Sequence, residues 1–191
     1  MTITETHIEG LKIIEPRVFG DDRGYFYESY NAQTFKAAGI ENDFVQDNES
    51  ASVKGVLRGL HYQRPPFAQA KLVRVLSGEV LDVAVDIREG SPTYGKWHSV
   101  RLSGENKKMF FIPRGFAHGF LTLSEQAVFA YKCDNLYNKE SEGGLRYDDP
   151  KVGIDWEVAI NDVLLSEKDA ILPSLGDHLR FVDFTIGSIK E

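Results

Sequence analysis

The sequence predicts an all-β protein, a sandwich or barrel of many short strands with a few short helical turns. Three observations lead there. Runs of β-branched and aromatic residues recur at close spacing, punctuated by Gly- and Pro-containing turns. The composition, with Gly 17, Phe 12 and Tyr 8, suits a turn-rich β-protein better than a helical one. Between Lys71 and Ile87, strand-like runs separate into one charged and one apolar face, as pleated strands do.

The elements follow in order. Ile8–Phe19 reads as an extended opening strand that Pro16 kinks or confines to an edge. Asp21-Asp22-Arg23-Gly24 is a turn, and Tyr25–Ser29 has strand composition. Asn31–Gly39 is the best short helix, with Asn31 as its cap and Gly39 as its stop. Phe44–Ser52 holds so few apolar residues that Gln46, Asp47 and Asn48 read as a solvated loop. Val56–Tyr62 is a strand, Gln63–Ala70 with Pro65-Pro66 a break, and Lys71–Leu76 the next strand.

Ser77-Gly78-Glu79 predicts a tight hairpin between Leu72–Leu76 and Val80–Ile87. Lys71 would then lie opposite Ala84, with Asp82 and Asp86 diagonal on the same face. The other face carries Leu72, Leu76, Leu81, Val83, Val85 and Ile87, and requires a cover from a second sheet or a partner subunit. In an open sheet the charged face is solvent; in a barrel around a polar ligand it is the interior. His98–Leu102, Met109–Ile112, Phe116–Leu123 and Ala127–Lys132 are further strands, and Val152–Trp156 is a short one. Ser166–Leu172 predicts a helical turn before Pro173.

At 191 residues the chain is long enough for one domain, 1–191, with a substantial core. The net charge of -7 argues against bulk attraction to nucleic acid or anionic lipid, while local cations can still hold an anion. Cys133 is alone, which removes any intrachain disulfide and points to a reducing compartment. The N-terminus lacks a basic and an apolar region of the secretory kind, and no apolar run spans a bilayer. The expectation is a soluble cytoplasmic protein with no nucleic-acid or membrane partner.

The stretch Val56–Arg74 concentrates the chemistry. It sets Arg58, His61, Arg64 and Lys71 among apolar residues. Two readings stand: the cations face water, or they line an anion pocket with His61 as a base. Gly59 predicts a bulge that turns both Arg58 and His61 inward despite their opposite parity. His7, near a frayed end, and His178, in a polar tail, are set aside, and His98 lacks polar company. No two histidines are one or four apart, so no metal is indicated. Neither GxGxxG nor GxxxxGK[ST] occurs, so no nucleotide cofactor is indicated either. Cys133 reads as a buried small hydrophobe.

Taken together, DDRGYFYESYN, GVLRGLHYQ, KLVRVLSGEVLDVAVDIREGSPTYGKW, FFIPRGFAHGF, YKCDNLYNKESEGGLRYDDP and SEKDA are the residues that carry a resemblance over nearly the whole chain. The sequence resembles the dTDP-4-dehydrorhamnose 3,5-epimerase family, cupin-type jelly-roll enzymes of dTDP-L-rhamnose synthesis. The resemblance implies cofactor-independent epimerisation at C3 and C5 of dTDP-4-dehydro-6-deoxy-D-glucose, through an enolate stabilised by the C4 ketone. It implies His61 as the base, Asp169 as its carboxylate partner, Lys71 at the enolate oxygen and Tyr131 as proton donor. Substrate contacts implied are Arg23, Phe26, Glu28, Gln46, Asn48, Arg58, His118, Glu142 and Lys168, with Tyr137 stacked on thymine. It also implies a homodimer in which N-terminal strands complete the neighbour's pocket. Relatives that epimerise one carbon share most of these motifs.

Overall fold

The structure is a computed structural model that describes residues 1–159 and 162–182. Its strands form two antiparallel sheets. The first runs β1 (Thr2–Glu5), β2 (Lys12–Glu15), β10 (Met109–Ile112), β7 (Lys71–Ser77), β12 (Gln126–Cys133), β5 (Gln46–Val53). The second runs β13 (Glu142–Gly144), β6 (Leu57–Gln63), β11 (Phe116–Thr122), β8 (Glu79–Asp86), β9 (Trp97–Ser103). A separate hairpin pairs β3 (Phe19–Asp21) with β4 (Gly24–Phe26). Two short helices, α1 (Ala32–Ala37) and α2 (Glu167–Ala170), and a 3-10 turn at Lys139–Ser141 complete the described elements.

The sheets pack face to face as a jelly roll. Val73, Val75, Phe110 and Phe129 from the first meet Val80, Ala84, Phe116 and Phe120 from the second. Polar side chains interrupt this apolar interior where Lys71, Asp82, His118 and Tyr131 converge. The charged face of the Lys71–Ile87 segment is therefore interior, as a barrel around a polar ligand requires.

The expected hairpin between Lys71 and Ile87 does not form. β7 and β8 lie in different sheets, so Gly78 turns a corner between them. The 124–126 turn packs into that corner: a Cβ on Gly78 would lie 2.0 Å from the Gln126 carbonyl, and Glu79 N donates to Ser124 Oγ at 2.8 Å. Lys71 pairs with Ile112 and Cys133, and Ala84 pairs with His118 and His98. Lys71 and Asp82 still act on each other electrostatically, from two sheets instead of along a ladder.

The apolar outer faces are covered by the chain itself, except at Leu76, which stays exposed. Leu81, Val83, Val85 and Ile87 pack under Leu145, Val152, Trp156, Leu175 and Phe181. Leu72 packs with Ile14, Phe35 and Ile40. Phe35 is the buried residue of α1, worth ~1.5–3 kcal/mol of apolar transfer. Asn31 Oδ1 caps α1 by accepting from Gln33 N and Thr34 N, and Gly39 follows at φ 79°.

Other expectations shift. The Ile8–Phe19 strand is interrupted: Leu11 N donates to Ile8 O in a turn, and β2 and β3 flank Pro16. Strand pairing ends at Phe26, short of Ser29. Phe44–Ser52 holds a strand, β5, paired with β12 along its whole length. Val152–Trp156 is irregular, with Val152 N and Gly153 N both donating to Asp149 O. His178 is 5% exposed, its ring edge-on to Tyr62, because the C-terminal segment folds back over β6. Among the described residues no helix is long and apolar enough to cross a membrane.

Candidate active site

A cavity of about 560 Å³ opens between the sheets. A second, of about 320 Å³, shares Asn48, His61, Lys71 and Tyr131 with it, so these four side chains stand at the junction.

β6 supplies two of the expected residues through a local irregularity. Gly59 has φ 123°, and a Cβ there would lie 2.6 Å from Gly119 Cα and 2.7 Å from His118 O. β6 and β11 thus approach more closely than side chains allow, and their register shifts between His118 and Phe120. The result puts Arg58 and His61 on one cavity wall. Arg58 Nε donates to Ser52 Oγ at 3.0 Å, which holds the guanidinium along β5.

His61 Nε2 lies 2.6 Å from Asp169 Oδ1. The carboxylate belongs to α2, whose cap Ser166 accepts from Asp169 N at 3.1 Å. Burial pushes the Asp169 carboxyl up, but the hydrogen bonds and charge of His61, the Gly59 N–H and Ser166 outweigh it, and the net direction is down. Asp169 is therefore a buried carboxylate anion gripping a ring whose side chain remains 30% exposed. An imidazole oriented in this way, open to the cavity on its other side, is equipped to take a proton from a bound carbon acid.

Lys71 reaches the same cavity from β7, its Nζ 5.8 Å from the Tyr131 ring centroid. Burial lowers its pKa, while Cys133, Asp82 and Glu142 act to raise it. Burial pushes the Tyr131 phenol up, with Cys133 adding to the effect, so the neutral donor form persists. His118 stands opposite His61 in the β6–β11 register and is 6% exposed. Its Nε2 lies 3.0 and 3.1 Å from the two oxygens of Asp82, which is fully buried.

The remaining residues gather at the mouth. Gln46 Nε2 donates to Asn48 Oδ1 at 3.1 Å, and Gln46 Oε1 accepts from Tyr137 N at 3.0 Å. Tyr137 Oη donates to Glu142 Oε2 at 3.2 Å, and Lys168 pairs with the other Glu142 oxygen. Cys133 is 1% exposed, its thiol pushed up to about 11 by burial, which suits packing and not nucleophilic work.

Arg23, Phe26 and Glu28 stand apart. Arg23 pairs with Asp21, Phe26 is 70% exposed, and Glu28 accepts from Asn31 Nδ2 at 3.0 Å. None of the three lines either cavity. Conversely, sequence reasoning passed over Asp82 and Ser166 as site residues. A carboxylate amid VLDVAV was a legible signal for the first; the second opens the helical turn expected at 166–172, where a serine is a common cap.

Comparison with known proteins bears on the fold and the family. The family model described as dTDP-4-dehydrorhamnose 3,5-epimerase matches residues 5–177. A dTDP-4-dehydrorhamnose 3,5-epimerase from Methanothermobacter thermautotrophicus is 55% identical over 166 residues, covering 86% of this chain and 89% of its own. One from Salmonella typhimurium is 54% identical over 180 residues, 94% of this chain and 98% of its own. A Legionella pneumophila dTDP-6-deoxy-D-glucose-3,5-epimerase, solved in complex with dTDP-4-keto-L-rhamnose, superposes with TM-score 0.90 at 54% identity. That match covers 95% of this chain and 99% of the other. A 3'-monoepimerase from Streptomyces bikiniensis in complex with dTDP-quinovose is more distant, at 35% identity and TM-score 0.84, over 90% and 86% of the two chains. The matched span takes in the jelly roll, both cavity walls and the helix bearing Asp169, and on that extent the chain belongs to the dTDP-4-dehydrorhamnose 3,5-epimerase family.

Proposed function

We propose that the chain is an epimerase that inverts C3 and C5 of dTDP-4-dehydro-6-deoxy-D-glucose to give dTDP-4-dehydro-L-rhamnose. The C4 ketone acidifies the protons on both neighbouring carbons. His61 takes such a proton, and Asp169 stabilises the resulting imidazolium and holds its orientation. The electron pair moves into the C4 oxygen, where the Lys71 ammonium meets the developing charge. Tyr131 returns a proton from the opposite face, and the enolate collapses to the ketone. Each inversion breaks one C–H bond and forms another, with no net redox change. The observation that carries the reading is the 2.6 Å His61–Asp169 contact at the junction that Lys71 and Tyr131 share.

The nucleotide end fits the mouth. Tyr137 offers a ring to thymine, and Arg58 and Lys168 offer cations to the diphosphate. Arg23, Phe26 and Glu28 serve the pocket of a second copy in a homodimer. Supporting this is the exposure of the hairpin they sit on or beside, with Phe19 52%, Tyr25 60% and Phe26 70% exposed.

Deuterium uptake from heavy water into the ketosugar nucleotide tests the reaction. Uptake at C3 and C5 supports it. Uptake at one carbon gives the mono-epimerase reading, for which the Streptomyces bikiniensis likeness is the specific support. Tight dTDP binding without uptake would leave a silent nucleotide-sugar binder.

A further inference from the structure

Lys71 enters the cavity half-buried, with no carboxylate in ion-pair contact among the described residues. The titratable groups that face it are Cys133 and Tyr131 on β12, Asp82 on β8, Glu142 on β13, His118 on β11 and His61 on β6. Two of these are carboxylates. Glu142 is already engaged by Lys168 and by Tyr137 Oη. Asp82 lies deeper, fully buried and held by His118 Nε2; burial pushes its carboxyl up on balance, while His118 and the charge of Lys71 act to lower it.

Asp82 is an expensive residue to keep for the fold alone. Taking a carboxylate from water is costly, and well-packed apolar replacements of buried ion pairs are often neutral or stabilising. Its strand is otherwise apolar at the neighbouring buried positions Val80, Leu81, Val83 and Ala84. Meanwhile, burial works against the ammonium on Lys71, the form that an enolate oxygen requires. An anion on Asp82 would offset that burial, and Asp82 lines neither cavity, so it leaves the ligand space free. Through Nε2, the same carboxylate fixes the His118 ring and turns Nδ1 away from itself.

We propose that Asp82 is a positioning residue of the reaction, which keeps Lys71 an ammonium at the enolate oxygen and orients His118 while touching no substrate atom itself. The inference rests on the reading of Lys71 given above. Asp82→Asn keeps the shape and removes the charge, and two readouts follow it. The first is the pKa of Lys71 Nζ, read by NMR of protein labelled with ¹⁵N-lysine. The expected fall is about one unit or more, tenfold in the protonation equilibrium. The second is the pH profile of deuterium exchange, whose alkaline limb moves to lower pH with it, while dTDP affinity stays near wild type. An unchanged Lys71 titration, or an equal loss of rate at every pH, overturns the proposal. Should the variant not fold, ¹³C-aspartate spectra of the wild-type protein decide it. An ionised Asp82 at neutral pH is the expected result, and a protonated one overturns it. Wild-type exchange is measured alongside. If the wild type exchanges and the variant leaves Lys71 unmoved, the Asp82 role falls and the epimerase reading stands.

Discussion

Two carboxylate–imidazole pairs each bring a ring to one cavity, and they differ chiefly in depth. His61–Asp169 bridges β6 and a four-residue helix, at 2.6 Å, with the ring side chain 30% exposed. His118–Asp82 bridges adjacent strands β11 and β8, at 3.0 Å, with side chains 6% and 0% exposed. The functional groups of each pair are the same; burial is not, and it pushes the Asp82 carboxyl up while the hydrogen bonds of Asp169 hold that carboxyl down. A ring that must exchange protons with a substrate needs an open side, whereas a ring that must hold a wall in place needs none. On the function proposed above, the shallow pair serves turnover and the deep pair arrangement.

Substitutions separate the two. His61→Asn removes the base while keeping size, and kcat for epimerisation is expected to fall by roughly 10²–10⁴-fold or more with dTDP affinity intact. Comparable turnover would take His61 out of the base role. Tyr131→Phe is expected to leave proton abstraction working and to impair reprotonation. Its mark is isotope exchange that outpaces epimer formation, read by NMR of the sugar.

The deep pair responds in stability. His118→Phe leaves Asp82 buried without its partner and is expected to destabilise by roughly 3–5 kcal/mol in chemical denaturation. His61→Asn is expected to change stability far less, and equal losses would erase the distinction drawn here. Gly59→Ala tests the junction between the pairs, because φ 123° and the 2.6 Å approach to Gly119 leave no room for a methyl group. A loss of roughly 2–4 kcal/mol, with lowered turnover from a displaced His61, is the expected outcome.

The smallest effect concerns pH. The folded pKa of Asp169 lies below its unfolded value, so its stabilisation is complete above the unfolded value of about 3.9. It is lost as pH falls through the folded value. The stability gap between wild type and Asp169→Asn should therefore close in acid and open again by neutrality, as urea midpoints across pH would register.

The sequence carried some of this well and some not at all. The α1 cap, the strand content and the anomalous cations of Val56–Arg74 were legible because each depends on local chemistry. β5 was not legible. Its inward positions are Gln46, Asn48, Ser50 and Ser52, whose polarity suits the cavity wall and hides the alternation that marks a half-buried strand. The corner at Gly78 looked like a hairpin because turn residues report a change of direction and not which sheet the chain enters next. His178 looked like a tail residue because nothing local shows that residues 174–182 fold back over β6.

By itself, then, the sequence determined the β-rich class, the polar and apolar faces and the set of side chains with chemistry to offer. Motif order along the chain added the family. Tertiary structure alone decided which of those side chains meet. His61 and Asp169 are 108 positions apart and His118 and Asp82 36. Contacts of that separation depend on how two sheets stack and where a bulge shifts register, and no local propensity encodes either.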